Sequence, residues 1–471
     1  MGNRNRRALC AAMALPLVGC ATEPPDWDDG LYRRVLPATE DAAGLALATG
    51  AANPAQQPVQ QAEQDEPGAL APDVDGLTLD EAIRFAVLNH PDLRRSAAAV
   101  RAAGGRELQA GLYPNPSIGI EAESIGSDEG EAGEAAFVLN QEIVTMGKRR
   151  KARAVAKSDR LALQAEFRSA EYEVVTRVRE AFARAAAATE RLDAQRELLD
   201  LATELLDAAR SRVDAGAAIE TDRLRAEVVR EQARIDLRAA EQDRGAAMSA
   251  LASAVGVDGA LDAEIRHDLT SLPELPGREE TVRLVLSNNA DVRRARHVIE
   301  RARKAYELAR AQAVPNVTAG AGPRYSGPAD ETTLDLRLGI ELPLVDRNQG
   351  EIAAALAERI GAGAELGSVR LSLIEAVSEA WSSYESARFS VERYSESVLP
   401  KAQRTLELTS EAYRAGKIDY LRLLDAQQTL VRSRVAYVDA LRSLNQSAAI
   451  LEGLMQRAAP WRDAVAPETT P

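Results

Sequence analysis

The chain has 471 residues, 28% of them charged and 4% aromatic, and a net charge of −14. That length allows two or three ordinary domains, but so few aromatic residues among so much alanine point to close-packed helices rather than a bulky globular core. The acidic balance argues against nucleic acid as the main partner, since phosphate recognition needs a basic face. The only cysteines, Cys10 and Cys20, both lie in the first twenty residues, which excludes a disulfide framework in the body. No two of His90, His267 and His297 share a helical spacing, so no zinc site and no cofactor are expected.

At the N-terminus, Arg4, Arg6 and Arg7 precede an apolar run from Ala8 to Val18. The run falls short of the roughly 20 residues a membrane helix needs. It reads as a secretion signal, residues 1–19. It ends Leu17-Val18-Gly19-Cys20, which resembles a bacterial lipobox. In a lipobox the cysteine is lipidated on sulfur and becomes the mature N-terminus. Ala21 follows, rather than the aspartate that retains bacterial lipoproteins at the inner membrane, so the resemblance implies the outer membrane. Residues 20–76 are rich in Pro, Ala, Gln, Asp and Glu, with Pro24-Pro25, Gln56-Gln57 and Gln60-Gln61 breaking any apolar face. They read as a disordered tether.

From Leu77 the chain is periodic and repeats itself. Leu88-Asn89-His90-Pro91-Asp92-Leu93 matches Ser287-Asn288-Asn289-Ala290-Asp291-Val292. Pro114-Asn115 recurs as Pro315-Asn316, Glu142-Ile143 as Glu341-Leu342, and Ala215-Gly216 as Ala415-Gly416. The order is kept at an offset of 199 to 201. Two copies of one unit follow, 77–277 and 278–457, with a tail at 458–471. Each copy is expected to run helix, strand pair, very long helix, tight turn, helix.

The first helix is expected over about 78–112, opened by a Thr78 cap with Glu81 in the capping-box position and stopped before Pro114. Its counterpart covers about 281–312. Strand pairs follow each. Leu334, Leu336, Leu338, Ile340 and Leu342 alternate with Thr333, Asp335, Arg337, Gly339 and Glu341. Ile118 and Ile120, Phe137 and Leu139, and Val317 and Ala319 mark three more strands. Such alternation suits a strand with lipid on one face and water on the other. The stretches 126–134 and 326–331 read as the joining loops. Four strands cannot close a membrane barrel, and open edges in lipid leave backbone groups unpaired. Strands that cross a membrane here therefore require several chains to share one barrel.

Lys148 to Val213 contains neither proline nor glycine, which gives roughly 100 Å of helix at about 1.5 Å per residue. Near its end, Leu198, Leu201 and Leu205 form one heptad stripe and Leu199, Ala202 and Leu206 a second. Two stripes mean two packing partners. A second rod extends from about Glu351 to Tyr413, weakened by Gly361, Gly363 and Gly367. Turns at Asp214-Ala215-Gly216 and Ala415-Gly416 lead into return helices, 217–254 and 418–456. By length, each return helix stacked end to end on the helix that follows it matches a rod. The break Gly256–Gly277 would then bulge out as a belt. His90, Trp381 and Tyr384 read as structural, and no nucleophile, base or phosphate loop suggests an enzyme.

Lipobox, duplicated halves, four strands and two long hairpins together resemble the TolC-type outer membrane factor family over residues 77–457. Asn140-Gln141-Glu142-Ile143 leading into Gly147-Lys148-Arg149 is most similar to its heavy-metal efflux, CzcC-type branch. The resemblance implies a mainly α fold with a small transmembrane β part. It implies a homotrimer with a twelve-stranded barrel in outer membrane lipid and a helical tunnel in the periplasm. It also implies a periplasmic adaptor, an inner membrane pump of the RND type, and passive conduction of substrate, here divalent heavy-metal cations. The adaptor-docking tips would be Ala215, Gly216 and Leu224, and Tyr413, Ala415, Gly416 and Leu424. Asp222 and Asp425 match the family's gate carboxylates. Arg422 departs from it, standing where some members carry a second carboxylate, and could pair with Asp425 or with a neighbour. Drug or protein export by the same fold, or a lipid-anchored coiled-coil scaffold, stay open as alternatives.

Overall fold

The computed structural model describes residues 76–457 except 124–133, 217, 260, 262, 267, 272–273 and 327–330. The signal, Cys20, the tether before Gly76, most of both strand-joining loops and the tail 458–471 lie outside the described residues. The first half comprises α1 (Leu79–Asn89), α2 (Pro91–Gly111), β1 (Ser117–Glu123), β2 (Glu134–Ile143), α3 (Lys148–Asp214) and α4 (Glu220–Val255). The second repeats the order as α5 (Arg278–Asn288), α6 (Ala290–Gln312), β3 (Val317–Ser326), β4 (Glu331–Ile340), α7 (Gln349–Arg393), α8 (Leu399–Arg414) and α9 (Tyr420–Met455).

The capping box at Thr78 forms, with Thr78 N–H donating to Glu81 Oε2 at 2.8 Å. The helix it opens is nevertheless two helices, not one over 78–112. His90 is extended, and its Nδ1 accepts the Asp92 N–H at 3.2 Å to cap α2. Pro91 enforces the break, because a residue before proline is pushed out of the helical region. The second half breaks at Asn289, whose Oδ1 accepts the Asp291 N–H at 2.8 Å. The second rod is also interrupted, at a π turn Tyr394–Val398 between α7 and α8. Pro400 follows it, lacks an N–H and cannot complete an ordinary helical ladder. Gly361, Gly363 and Gly367 leave α7 intact.

The stacking also differs from the expectation. Gly256, at the end of α4, lies against His90 and Pro91 with a φ of +88°. A Cβ there would stand 3.2 Å from His90 Cα. At the matching place, Gln456 Oε1 accepts the Ala290 N–H at 2.7 Å, and Asn289 Nδ2 donates to Leu454 O at 3.2 Å. So α4 stacks on α2 and α9 on α6, each within its own repeat rather than on the helix that follows. Both seams abut the same stretch of α3. Arg177 approaches Asp92 at 3.5 Å, and Tyr172 Oη donates to Gln456 O at 3.4 Å.

The uninterrupted α3 packs between the α2/α4 column and the α6/α9 column, and the α7/α8 column packs on the far side of α6/α9. The two heptad stripes therefore have two partners. The upper core gathers Phe167, Val178 and Phe182 of α3 with Ile83, Val87 and Leu251. Near the turns it gathers Leu205 and Leu206 with Leu406, Tyr413, Tyr420 and Leu423. Trp381 and Tyr384 pack as expected, with ring centroids 5.7 Å apart. The described part of the belt is pinned, since Leu77 bridges Ile265 and Asn445 Nδ2 donates to Leu269 O at 2.8 Å.

The strands form one antiparallel sheet in the order β1-β2-β3-β4, so β1 and β4 are open edges. The register pairs Ile120 with Phe137, Leu139 with Ala321, and Ala321 with Leu336. One face is thus apolar, and its Ile118, Ile120, Leu334, Leu336 and Leu338 are exposed. The other carries Glu121, Glu134, Arg324, Asp335 and Arg337. β4 ends at Ile340, so Leu342 lies beyond it. Among the described residues no helix is long and apolar enough to cross a membrane.

Candidate functional site

The two hairpin tips form one joint. Each rod ends on a glycine in the left-handed region, Gly216 at φ +71° and Gly416 at φ +72°. Glycine suits this helix stop because a side chain would clash there. Gly416 N–H donates to Tyr413 O, and Lys417 N–H to Ala412 O, both at 2.9 Å. Asp419 then caps α9, accepting the Arg422 N–H at 3.2 Å. These turns leave Ala215, Gly216, Ala415 and Gly416 exposed at the end of the molecule.

Just inside the turns, Tyr413 and Tyr420 are buried, with ring centroids 5.8 Å apart in an edge arrangement. Arg212, from the end of α3, lies 4.5 Å from the centre of the Tyr413 ring and donates to the Tyr413 carbonyl. This cation–π contact and hydrogen bond tie the first tip to the second. Burial raises the phenol pKa of Tyr413 and pushes that of Tyr420 up to about 12, with Tyr413 and Asp222 adding to the latter. Asp222, its side chain 19% exposed and 4.0 Å from Arg225, therefore belongs to the tyrosine joint. Leu224, in the same turn of α4, is exposed.

Asp425 and Arg422 lie elsewhere. They line an open groove of about 1030 Å³ between α8 and α9, with Lys401, Leu408 and Leu424. Among the described residues, an Arg422–Asp425 ion pair, one of the two pairings open to Arg422, does not form. Both side chains are exposed, where water competes and such a pair is worth less than about 1 kcal/mol. The structure thus brings Asp222 and Tyr413 together and leaves Asp425 with Arg422 apart from them. Arg212 and Tyr420 were not singled out from sequence. Tyr413 and Tyr420 lie on opposite sides of the Gly416 turn, so no helical spacing in the sequence signals that they meet. Arg212 is one arginine among many on its rod and carries no such signal. Among the described residues no group of three or more His, Cys, Asp or Glu side chains could hold a metal ion.

Known proteins share this architecture. The family model described as outer membrane efflux protein matches residues 82–257 and 281–455. The cobalt-zinc-cadmium resistance protein CzcC of Cupriavidus metallidurans is 27% identical over 382 residues, spanning 81% of this chain and 90% of that protein. The outer membrane protein VceC from Vibrio cholerae superposes with a TM-score of 0.67 at 22% identity, covering 80% of this chain and 95% of its own. CusC superposes with a TM-score of 0.69 at 18% identity, covering 86% and 99%. The family model matches one segment in each half of the duplication and together most of the chain, and the chain belongs to the outer membrane efflux protein family.

Proposed function

We propose that this protein is the outer membrane duct of a tripartite efflux system, conducting divalent heavy-metal cations passively and catalysing no reaction. The observation that carries the duct is the sheet, with an exposed apolar face beside two unpaired edges. Lipid tolerates the face but not the edges. Three chains joining β4 of one to β1 of the next make a closed twelve-stranded barrel, and the helical columns beneath it close into a tunnel. Lipidation of Cys20 would anchor each chain to the same membrane. The tips Ala215, Gly216 and Leu224, with Tyr413, Ala415, Gly416 and Leu424, would meet a periplasmic adaptor linked to an inner membrane pump of the RND type. Asp222 and Asp425 would ring the constriction three times over, favouring cations, and Arg422 would offset the Asp425 ring.

The cargo rests on the similarity to the cobalt-zinc-cadmium resistance protein. Metal need not be coordinated by the duct, because the pump would select it. Growth of a deletion strain on zinc, cobalt and cadmium salts, beside hydrophobic drugs, tests the cargo. Loss of metal tolerance restored by the gene is the expected result. Sensitivity to drugs alone would keep the duct and remove the metal.

A further inference from the structure

The polar face of the sheet holds a single ion-pair network that touches all four strands. Arg337 of β4 donates two guanidinium nitrogens to the Glu121 carboxylate of β1. It also meets Asp335 at 2.9 Å. Arg324 of β3 reaches Asp335 of β4 at 2.9 Å, Glu134 of β2 at 3.1 Å and Glu121 of β1 at 3.9 Å. β1 and β4 are not neighbours, since two strands lie between them. In a flat sheet they would stand roughly 14 Å apart, three spacings of about 4.8 Å. Side chains on one face can bridge that gap only if the sheet curls toward them. The charged face is therefore the concave one and the apolar face the convex one.

The positions beneath the network have the size this requires. Gly119, Ala136, Val138, Gly320 and Gly322 occupy the same face between the arginines and Glu121. A Cβ on Gly322 would stand 1.7 Å from the backbone oxygen of Phe137, so no larger residue fits there, and one on Gly320 would stand 2.3 Å from Asn140 Oδ1 and displace that side chain. The small floor leaves room for two guanidinium arms to lie across the concavity.

We propose that the Glu121–Arg337 clasp, supported by Arg324, Asp335 and Glu134, sets the curvature of the sheet, so that each chain presents its open edges at the angle three chains need to close a barrel. This rests on the trimeric duct proposed above. Bidentate arginine–carboxylate pairs suit the task, because their planar geometry fixes direction as well as distance.

The test uses the full chain in detergent and in planar bilayers, reading trimer fraction and single-channel conductance for Glu121→Gln, Arg337→Gln and the double variant. Each single variant should lower the trimer-to-monomer equilibrium roughly tenfold, as loss of a charge-assisted pair does, and broaden the conductance distribution. The double variant should lose no more than Arg337→Gln alone, because the pair the two residues share can be removed only once. Glu123→Gln, which removes a charge from the same face 3.8 Å from Arg324 and leaves the clasp intact, should behave as the parent. Helical circular dichroism unchanged across the set shows that the rods still fold. Parent-like trimers and conductance in both single variants would overturn the clasp while leaving the duct. Additive losses in the double variant, or equal losses in Glu123→Gln, would also overturn it. A parent protein that neither trimerises nor conducts would overturn the duct itself, and the clasp with it.

Discussion

At the tip joint, Tyr420 retains about 1% of its exposure and faces Tyr413 and the charge of Asp222. All three influences favour the neutral phenol, and its pKa is raised to about 12. An unfolded tyrosine ionises near 10. The stabilisation is therefore whole below about pH 10, and is lost as pH rises from about 10 toward 12, where only the unfolded chain readily gives up the proton. A titration followed by tyrosinate absorbance and helical dichroism should show Tyr420 among the phenols that ionise late, together with tip unfolding. Tyr420→Phe should lower the amplitude of that late step by one phenol. A Tyr420→Phe titration identical to the parent would show that the buried phenol is not the group responsible. Asp222 belongs to the same joint.

Among the elements, period and punctuation decided what could be read in advance. The strict two-residue alternation from Thr333 to Ile340 made β4 legible, because a slip of one residue would turn Leu334, Leu336 and Leu338 from one face to the other. The absence of proline and glycine from Lys148 to Val213 made α3 legible as one rod. The breaks at His90 and Asn289 were written in the sequence as a capping residue, a proline or alanine, and an aspartate, but the long apolar period on either side masks such a stop. Pro400 likewise announced the π turn, whereas the glycines of α7 suggested weakness where none appears. The stacking partners were not legible at all, since each return helix fits either candidate by length. What decides them is a contact, Gly256 against His90. Gly256→Ala places a Cβ in a left-handed turn and against a backbone. It should cost about 1–3 kcal/mol, read as a lower thermal midpoint of the helical signal. The same substitution at Gly105, which lies inside α2 with open space around it, should cost nothing and stabilise by up to about 1 kcal/mol, which sets the baseline.

Across the whole molecule, the apolar face of the sheet decides between a duct and a scaffold confined to the periplasm. Leu336 and Leu338 are 71% and 80% exposed in the single chain. In water such a row would be an aggregation hazard beside two open edges. In a bilayer it is the surface that holds the protein. Leu336→Lys and Leu338→Lys should each cost roughly 2–4 kcal/mol if they lie near the bilayer midplane. Loss of the protein from detergent-extracted outer membranes, with the helical rods intact, is the expected result. A protein that stays membrane-bound at parental levels would be held by something other than the sheet, and the apolar face would need another partner.

The seams where α2 meets α4 and α6 meets α9 sit at one level on α3, between Tyr172 and Arg177. An unbroken rod passes both joints, so the wall resembles staggered planks, in which no column can grow by itself. Adding a turn to α3 below the seams would pull its tip past those of α4 and α9 unless both gained a turn as well, and α8 would have to follow. The length of the helical columns is therefore inherited as a set. A descendant that must bridge a wider periplasm can change it only by matched insertions in both halves of the duplication, preferably whole heptads that keep the stripes of α3 in register.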